Sequence, residues 1–524
     1  MPTLEIDGRE VTVADGANLI QAAEAIGNEI PHYCYHPGLS VAGNCRMCLV
    51  EIEKMPKLQI ACNTRATEGM VVRTRSDKVL RARESVLEFL LVNHPIDCPI
   101  CDQAGECKLQ DYYMDHDRQE SRFPLESKVQ KGKAIDIGPL IMLDQERCIL
   151  CTRCTRFLDE VTGTSELGVF QRGDHCQIDV FPGVALDNKY SGNVADICPV
   201  GALTNKDFRF RARVWYLESG RSVCAGCATG CNIDIHHRRN EIFRYRPRFN
   251  ADVNSYWMCD EGRLSYKRYQ GEGRLLQPVR RVQSEWQPLD WRQGLDHLEA
   301  LLAAPGLGIG GIVSAESTNE EIFLFRRLLA GTAGSLVGGH SWSPASADSD
   351  EFLIDSDKNP NTAGLRAQRL EPTGGRRVVD AALAGELTTL ILFRTDLSQL
   401  CSAEEMDRLG DALGQVVVID THYGPSVEIA DLVLPVATFT EIDGTFTNRT
   451  RRVQKVTRVI APAGNSRPAW QLLNELIGAQ TEGGSQASSA AGVFDALCES
   501  EDAFRGLSSA AVGDQGVPLA AVDG

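Results

Sequence analysis

The chain has 524 residues, 43% of them hydrophobic and 24% charged, with a formal net charge of -17. That length leaves room for several domains and that apolar share for a packed core, while the acidity excludes a nucleic-acid-binding class that must neutralise phosphate. No run of about 18 apolar residues occurs, so a bilayer-spanning helix is excluded as well.

Residues 1–75 read as a small β-rich fold. Leu4-Glu5-Ile6 and Val11-Thr12-Val13 flank Asp7-Gly8, a hairpin signal. Asp15-Gly16 opens a short helix through Leu19, Ala22, Ala23 and Ile26, and residues 48–52 and 70–74 supply further strand-like runs. The spacing of Val79, Leu80, Val86, Leu87, Leu90 and Leu91 predicts an amphipathic helix over 77–92, which His94-Pro95 ends. Residues 119–138 are charged and irregular, 139–205 carry a ferredoxin-like pattern, and 217–265 form a compact cysteine module. From about residue 270, runs such as Leu390-Ile391-Leu392-Phe393 and 416–419 alternate with helical stretches, which predicts α/β. The last segment, with Gly483-Gly484-Ser485, is rich in Ala, Ser and Gly and is predicted to be partly disordered.

The start, Met1-Pro2-Thr3-Leu4-Glu5-Ile6-Asp7, lacks the charged-then-apolar pattern of a secretory signal, so a cytoplasmic location is expected. There the 18 cysteines read as metal ligands instead of disulfides. Fifteen of them, with His94, fall into four sets of four donors, which is what one iron–sulfur cluster each requires.

The first set, Cys34, Cys45, Cys48 and Cys62, reads C-x10-C-x2-C-x13-C, a variant of the two-iron ferredoxin spacing with a longer first loop. Gly38, Gly43 and Asn44 let that loop curl around a metal; a structural zinc site is the alternative. The second set, His94, Cys98, Cys101 and Cys107, reads H-x3-C-x2-C-x5-C. Three cysteines leave a four-iron cluster one donor short, and His94 supplies it, although a lone histidine there would be an ordinary helix-end residue. The third set starts with Cys148, Cys151 and Cys154, and Cys198, in Cys198-Pro199-Val200-Gly201, completes it. Cys176 is the competing fourth ligand; it has no Pro or Gly support and reads as a buried or free thiol. The fourth set, Cys224, Cys227, Cys231 and Cys259, reads C-x2-C-x3-C-x27-C and favours a four-iron cluster over zinc.

Other strings carry less. Gly306-Leu307-Gly308-Ile309-Gly310-Gly311 fits G-x-G-x-x-G but precedes an apolar run where a dinucleotide loop would follow a strand. Cys401 reads as a thiol near a helix start, and Cys498 lies in the Ala/Ser/Gly-rich segment. No flavin or nucleotide loop and no catalytic constellation of serine, histidine or carboxylate is found.

The order and spacing of the four sets resemble the large iron–sulfur subunits of respiratory complex I, a family that includes the large iron–sulfur subunit of bacterial NADH-quinone oxidoreductase and the mitochondrial 75 kDa subunit. The similarity covers about the first 265 residues and continues more weakly downstream. There Ser314-Ala315-Glu316-Ser317-Thr318-Asn319-Glu320-Glu321, Ala430-Asp431-Leu432-Val433-Leu434-Pro435 and Glu441-Ile442-Asp443-Gly444-Thr445-Phe446-Thr447-Asn448 resemble segments of molybdopterin oxidoreductases.

The resemblance implies one 2Fe-2S cluster on Cys34, Cys45, Cys48 and Cys62, and three 4Fe-4S clusters. These would sit on His94, Cys98, Cys101 and Cys107, on Cys148, Cys151, Cys154 and Cys198, and on Cys224, Cys227, Cys231 and Cys259. It implies an electron order of two-iron, all-cysteine, then histidine-ligated, with the last set off the main path. It implies a multidomain α+β chain: a β-grasp two-iron domain at 1–78, a His/Cys-ligated domain at 79–118, a ferredoxin-like four-iron domain at 139–212 and a four-iron module at 217–272. A shortened molybdopterin-oxidoreductase-like α/β domain without its cofactor would follow at 273–475, then a low-complexity tail at 476–524. The implied role is relay of electrons from an NADH/FMN flavoprotein subunit and its small two-iron partner toward quinone-side iron–sulfur subunits. The chain would be peripheral to the inner (plasma) membrane, with no direct membrane insertion, no nucleic acid and no molybdopterin. The alternative is the electron-transfer subunit of a soluble NAD-linked hydrogenase or formate dehydrogenase, proteins that share the N-terminal modules.

Overall fold

The structure, a computed structural model, describes residues 1–116, 121–304, 308–332, 334–480 and 487–520, and divides into two compact units, Met1–Leu217 and Glu218–Gly524.

The first unit opens with the hairpin β1 (Thr3–Ile6) and β2 (Arg9–Thr12). Asp7 and Gly8 both adopt positive φ, the conformation a two-residue hairpin turn needs and Asp-Gly tolerates. The helix α1 (Leu19–Glu24) starts at Asn18, whose side chain caps Gln21 while Gln21 caps Asn18 in return. The predicted later strands are β3 (Leu49–Ile52), paired to β4 (Gln59–Ile60), and β5 (Val71–Arg73). They complete a five-stranded sheet in the order β2-β1-β5-β3-β4, with β1 and β5 parallel. Leu4, Ile6, Leu19, Ile20, Val50 and Val72 fill its core.

The predicted amphipathic helix is α2 (Asp77–Leu91), capped by Ser76 and buried along Val79, Arg83 and Leu87. Beyond it, a short 3-10 turn (Cys98–Ile100) and the helix Lys108–His116 frame the second set of donors. Short helices at Arg153–Phe157 and Asn193–Ile197, with a three-stranded sheet of Leu203–Asn205, Ile141–Leu143 and Ile135–Asp136, frame the third.

The second unit begins with an antiparallel sheet of Glu218–Val223, Asn232–Arg238 and Glu241–Pro247. Its main body is a seven-stranded sheet in which Leu432–Pro435, Gln415–Asp420, Thr389–Phe393, Ile309–Ser314 and Leu336–His340 run parallel in that order. Phe393, Val417 and Ile419 point into one apolar core, and Leu390, Leu392, Val416 and Val418 into the other. Burial on both faces is why these strands read as unbroken apolar runs in the sequence. Gly310 and Gly311 of the G-x-G-x-x-G string lie inside a strand; Gly306 and Leu307 lie outside the described residues.

One expectation fails. The segment 476–524, predicted as a low-complexity tail, is folded over most of its length. Residues up to Gln480 finish the helix Ala469–Gln480, and Ala490–Ser500 forms another, burying Ala490, Val493, Phe494, Leu497 and Cys498 in the larger core. Val517–Pro518 then pairs with Arg452 and Val453. The composition of the whole segment masks an apolar face that returns every three to four residues. Gly483 to Ser485 lie outside the described residues.

The helix Asn319–Ala330 carries a buried carboxyl in its first turn. Glu320 accepts hydrogen bonds from the backbone N–H and the hydroxyl of Thr445 at 2.9 and 3.0 Å, yet burial pushes its pKa from 4.5 up to about 7. Between those values the folded chain keeps a proton that the unfolded chain releases. The stabilising contribution is therefore full below pH 4.5, falls as pH rises, and is gone above about 7. Glu320→Gln is expected to remove that pH-dependent change, which totals on the order of 3 kcal/mol between pH 4.5 and 7. Denaturant unfolding at about pH 5 and about pH 8 checks it; an equal pH dependence in both proteins would contradict it.

Candidate metal centres

The first donor set closes within hydrogen-bonding range of itself. Cys34 and Cys45 sit in the loop after α1, Cys48 just ahead of β3, and Cys62 in the 3-10 turn Ala61–Asn63. Cys34 donates its backbone N–H to the Cys45 sulfur at 3.5 Å, and Ala61 N–H bonds the Cys48 carbonyl at 2.9 Å. Hydrogen bonds to Cys45 and Cys62 lower the Cys34 thiol, and the bond to Cys62 lowers Cys48. The reciprocal bond to Cys34 raises both Cys45 and Cys62. Four soft donors in such mutual contact fit a compact cluster better than four independent thiols.

In the second set, Cys98 and Cys101 bracket a 3-10 turn, and Cys107 precedes a helix. Burial pushes the Cys107 thiol up to about 12, with Cys101 and Cys98 close enough to add to it. His94 lies just beyond α2, and its Nδ1 is buried without a hydrogen-bond partner. Burial pulls the imidazole down to about 4, so it is neutral near pH 7. A neutral, orphaned ring nitrogen suits a metal ligand.

The third and fourth sets each line a cavity. Cys148, Cys151, Cys154 and Cys198 face one together with Leu143, Ile178 and Val200. Cys224, Cys227, Cys231 and Cys259 face the other with Met258, Ile354, Glu261 and Lys358. Burial pushes Cys148 up to about 12, Cys151 up to about 11 and Cys259 up to about 12. Thiolates crowded in apolar walls need positive charge among them, which iron supplies. Backbone N–H groups already point at sulfur: Leu150 at Cys148 (3.4 Å), Gly226 at Cys224 (3.4 Å) and Gly262 at Cys259 (3.3 Å). Such bonds tune a cluster's potential. Among the described residues, no three His, Cys, Asp or Glu side chains converge on a single ion. The thiols of the last two sets border volumes, as a multi-iron core requires.

Five families match the chain in succession. They are described as a 2Fe-2S iron–sulfur cluster binding domain (residues 1–77), the NADH-ubiquinone oxidoreductase-G iron–sulfur binding region (83–122), and the ferredoxin-like domain of NADH-quinone oxidoreductase subunit 3 (138–204). The NDSU1/NuoG-like 4Fe-4S domain (219–267) and molybdopterin oxidoreductase (378–479) follow. The NADH-quinone oxidoreductase G subunit of Rickettsia conorii is 41% identical over 335 residues, covering 63% of this chain and 49% of that protein. Residues 83–122 and 219–267 thus match models of NADH-ubiquinone oxidoreductase-G iron–sulfur regions. The NADH-ubiquinone oxidoreductase 75 kDa subunit of Reclinomonas americana is 41% identical over 346 residues, 66% of this chain and 50% of its own. The mitochondrial 78 kDa subunit of Neurospora crassa is 45% identical over 295 residues, 56% and 40%. The chain thus spans about half the length of the curated relatives it matches. A chain of a NAD+-reducing [NiFe]-hydrogenase in the H2-reduced state aligns with a TM-score of 0.37 at 30% identity, over 41% of this chain and 91% of that one.

Within the first unit, the first three sets touch through their own loops. Arg156 donates to the carbonyls of both Cys34 and Cys151, and Asn44 bonds the Leu150 carbonyl at 3.1 Å, which joins the first set to the third. The Cys198 loop joins the third to the second. A Cβ built on Gly201 would lie 2.4 Å from the Cys101 sulfur, and Lys108, next to Cys107, bonds the Pro199 carbonyl at 3.0 Å. Arg147, beside Cys148, forms a two-pronged ion pair with Asp97, beside Cys98 (3.0 and 2.6 Å).

Cys176 stands elsewhere. It precedes the second strand of the hairpin Leu167–Phe170 and Gln177–Val180, where its thiol bonds the Gln171 carbonyl at 3.6 Å. Cys401 bonds the Leu397 carbonyl at 3.1 Å, and Cys498 is buried in the larger core. Sequence reading had no means to single out Arg147, Arg156 or Lys358, because the partners that give them meaning, Asp97, the Cys34 carbonyl and the wall of the fourth set, are distant in the chain. Gly201 was visible only as part of the Cys-Pro motif.

Proposed function

We propose that the chain is the electron-transfer subunit of an NADH-quinone oxidoreductase, relaying electrons from an NADH/FMN subunit and its small two-iron partner toward quinone-side iron–sulfur subunits. The carrying observation is the unbroken run of contacts from Cys34 through Arg156 to Cys151, and from the Cys198 loop through Gly201 to Cys101. That run favours the order two-iron, all-cysteine, histidine-ligated. When bound, the clusters supply one-electron transfer. The polypeptide supplies the rest: it buries the thiols, excludes water and fixes the gaps between sets.

On this reading Cys34, Cys45, Cys48 and Cys62 hold one 2Fe-2S cluster. His94, Cys98, Cys101 and Cys107, then Cys148, Cys151, Cys154 and Cys198, then Cys224, Cys227, Cys231 and Cys259, hold three 4Fe-4S clusters. The α/β body carries no molybdopterin and acts as a wall or docking surface. The domain limits 1–78, 79–118, 139–212, 217–272 and 273–475 belong to the same reading, as does a peripheral place on the cytoplasmic side of the membrane. Among the described residues no helix is long and apolar enough to cross a bilayer.

Low-temperature EPR of the reduced protein, with iron and acid-labile sulfide counted per chain, tests the reading. One two-iron and three four-iron signals are expected, and protein free of sulfide would overturn it. His94→Cys is expected to keep its cluster while the midpoint potential falls, because an anionic thiolate replaces a neutral imidazole. A redox titration reads the shift, and an unmoved midpoint would remove His94 from the ligand set.

A further inference from the structure

The fourth thiol set is covered by a segment of the α/β body far away in sequence. Ala228, next to Cys227, donates its N–H to the Asp357 carbonyl at 2.8 Å, and the Thr229 hydroxyl bonds the Leu353 carbonyl at 2.7 Å. Ile354 lines the cavity, and Lys358 N–H is held by the Ser343 hydroxyl at 2.9 Å. These bonds bring Lys358 to the wall beside the cysteines. Most of that wall is cysteine, glycine and apolar side chain; Lys358 and Glu261 are its charged members. They pair with each other, Nζ to Oε2 at 2.7 Å, but they are not equally buried: the Lys358 side chain is 16% exposed and that of Glu261 60%. Water therefore screens the carboxylate more than the ammonium. Both Cys227 and Cys259 interact electrostatically with Lys358. Arg449 also faces Cys231, with its own charge paired to Asp355 at 3.2 Å.

We propose that Lys358 sets the reduction potential of the cluster held by Cys224, Cys227, Cys231 and Cys259, keeping it above the value its thiolates alone would give. Reduction adds one electron and hence one negative charge to the cluster. A half-buried ammonium beside it stabilises the reduced form more than the oxidised form. Glu261 opposes this weakly from the solvent side. The inference rests on the proposed cluster at these four cysteines and adds to it a positioning and tuning residue that is not a ligand.

The test is an EPR-monitored redox titration of the full chain, with the relevant signal identified as the one missing from Cys231→Ala. Lys358→Met is expected to shift its midpoint to lower potential, Lys358→Arg to restore most of the shift, and Glu261→Gln to raise it by a smaller amount. The opposite signs matter. Were the pair only a clamp on the covering segment, Lys358→Met and Glu261→Gln would break the same bond and move the midpoint in the same direction. Shifts of the same sign, or an unmoved midpoint in Lys358→Met at full iron content, overturn the inference. If Lys358→Met loses iron, Glu261→Gln decides alone: a rise supports the inference, while a fall or no change overturns it. Absence of any such signal in the unmodified chain defeats the cluster assignment itself, a different and recognisable failure.

Discussion

Gly201→Ala is expected to cost the protein one four-iron cluster. The added methyl group would lie 2.4 Å from the Cys101 sulfur and 3.2 Å from the Gln103 Cβ, where ordinary contact starts near 3.4 Å. Something must give by about 1 Å, and the neighbours have little freedom. Cys101 is buried and, on the proposed reading, tied to iron. Gln103 is buried too, and Arg147 is locked to Asp97. The loop cannot back away without breaking the bond from Lys108 N–H to the Pro199 carbonyl or moving Cys198 itself. Overpacking of this kind costs about 1–3 kcal/mol, enough to displace one ligand. Iron and sulfide should fall by one four-iron cluster, with loss of the signal assigned to the His94 set. A variant with full iron and unchanged spectra would show that the two sets are not packed against each other through this loop.

What the sequence revealed and what it hid divide along chain separation. The hairpin at Asp7-Gly8 and the helix over 77–92 were legible because their signals lie within a turn or a few helical repeats. The α/β body was legible because strands buried on both faces must be apolar throughout, as Leu390-Ile391-Leu392-Phe393 is. That the four cysteines of the third set, and those of the fourth, share a cavity was legible because thiols at such spacings have few other uses. Helix α1 starts at Asn18 and not at Asp15-Gly16, because a reciprocal cap outweighs a glycine turn signal. Ala490–Ser500 was missed because composition averaged over a long segment conceals a narrow apolar stripe. Arg156 and Lys358 were missed for a different reason. Their meaning lies in carbonyls and sulfurs about a hundred residues away or more, and no local pattern encodes that.

Arg274→Leu is expected to destabilise the second unit by about 3–5 kcal/mol. Arg274 donates through Nη1 to Glu441 Oε1 at 2.9 Å and through Nη2 to Oε2 at 2.8 Å, with 9% and 2% of the two side chains exposed. Nη1 also bonds the Tyr269 carbonyl at 2.9 Å. Removing the guanidinium leaves a buried carboxylate whose remaining bond is to Thr438 N–H at 2.8 Å. The loss is large because an orphaned charge is costly, not because the pair itself is strong. Arg274 Nε has no partner of its own, so the native pair is incompletely satisfied. A double variant, Arg274→Leu with Glu441→Leu, is accordingly expected to recover most of the stability, since an apolar replacement of similar shape removes both charges together. Five of the six tryptophans, Trp257, Trp286, Trp291, Trp342 and Trp470, lie in this unit, so denaturant unfolding followed by their fluorescence reads the effect directly. A double variant no more stable than Arg274→Leu alone would mean that Glu441 is needed at the Thr438 cap, and that the ion pair is secondary to it.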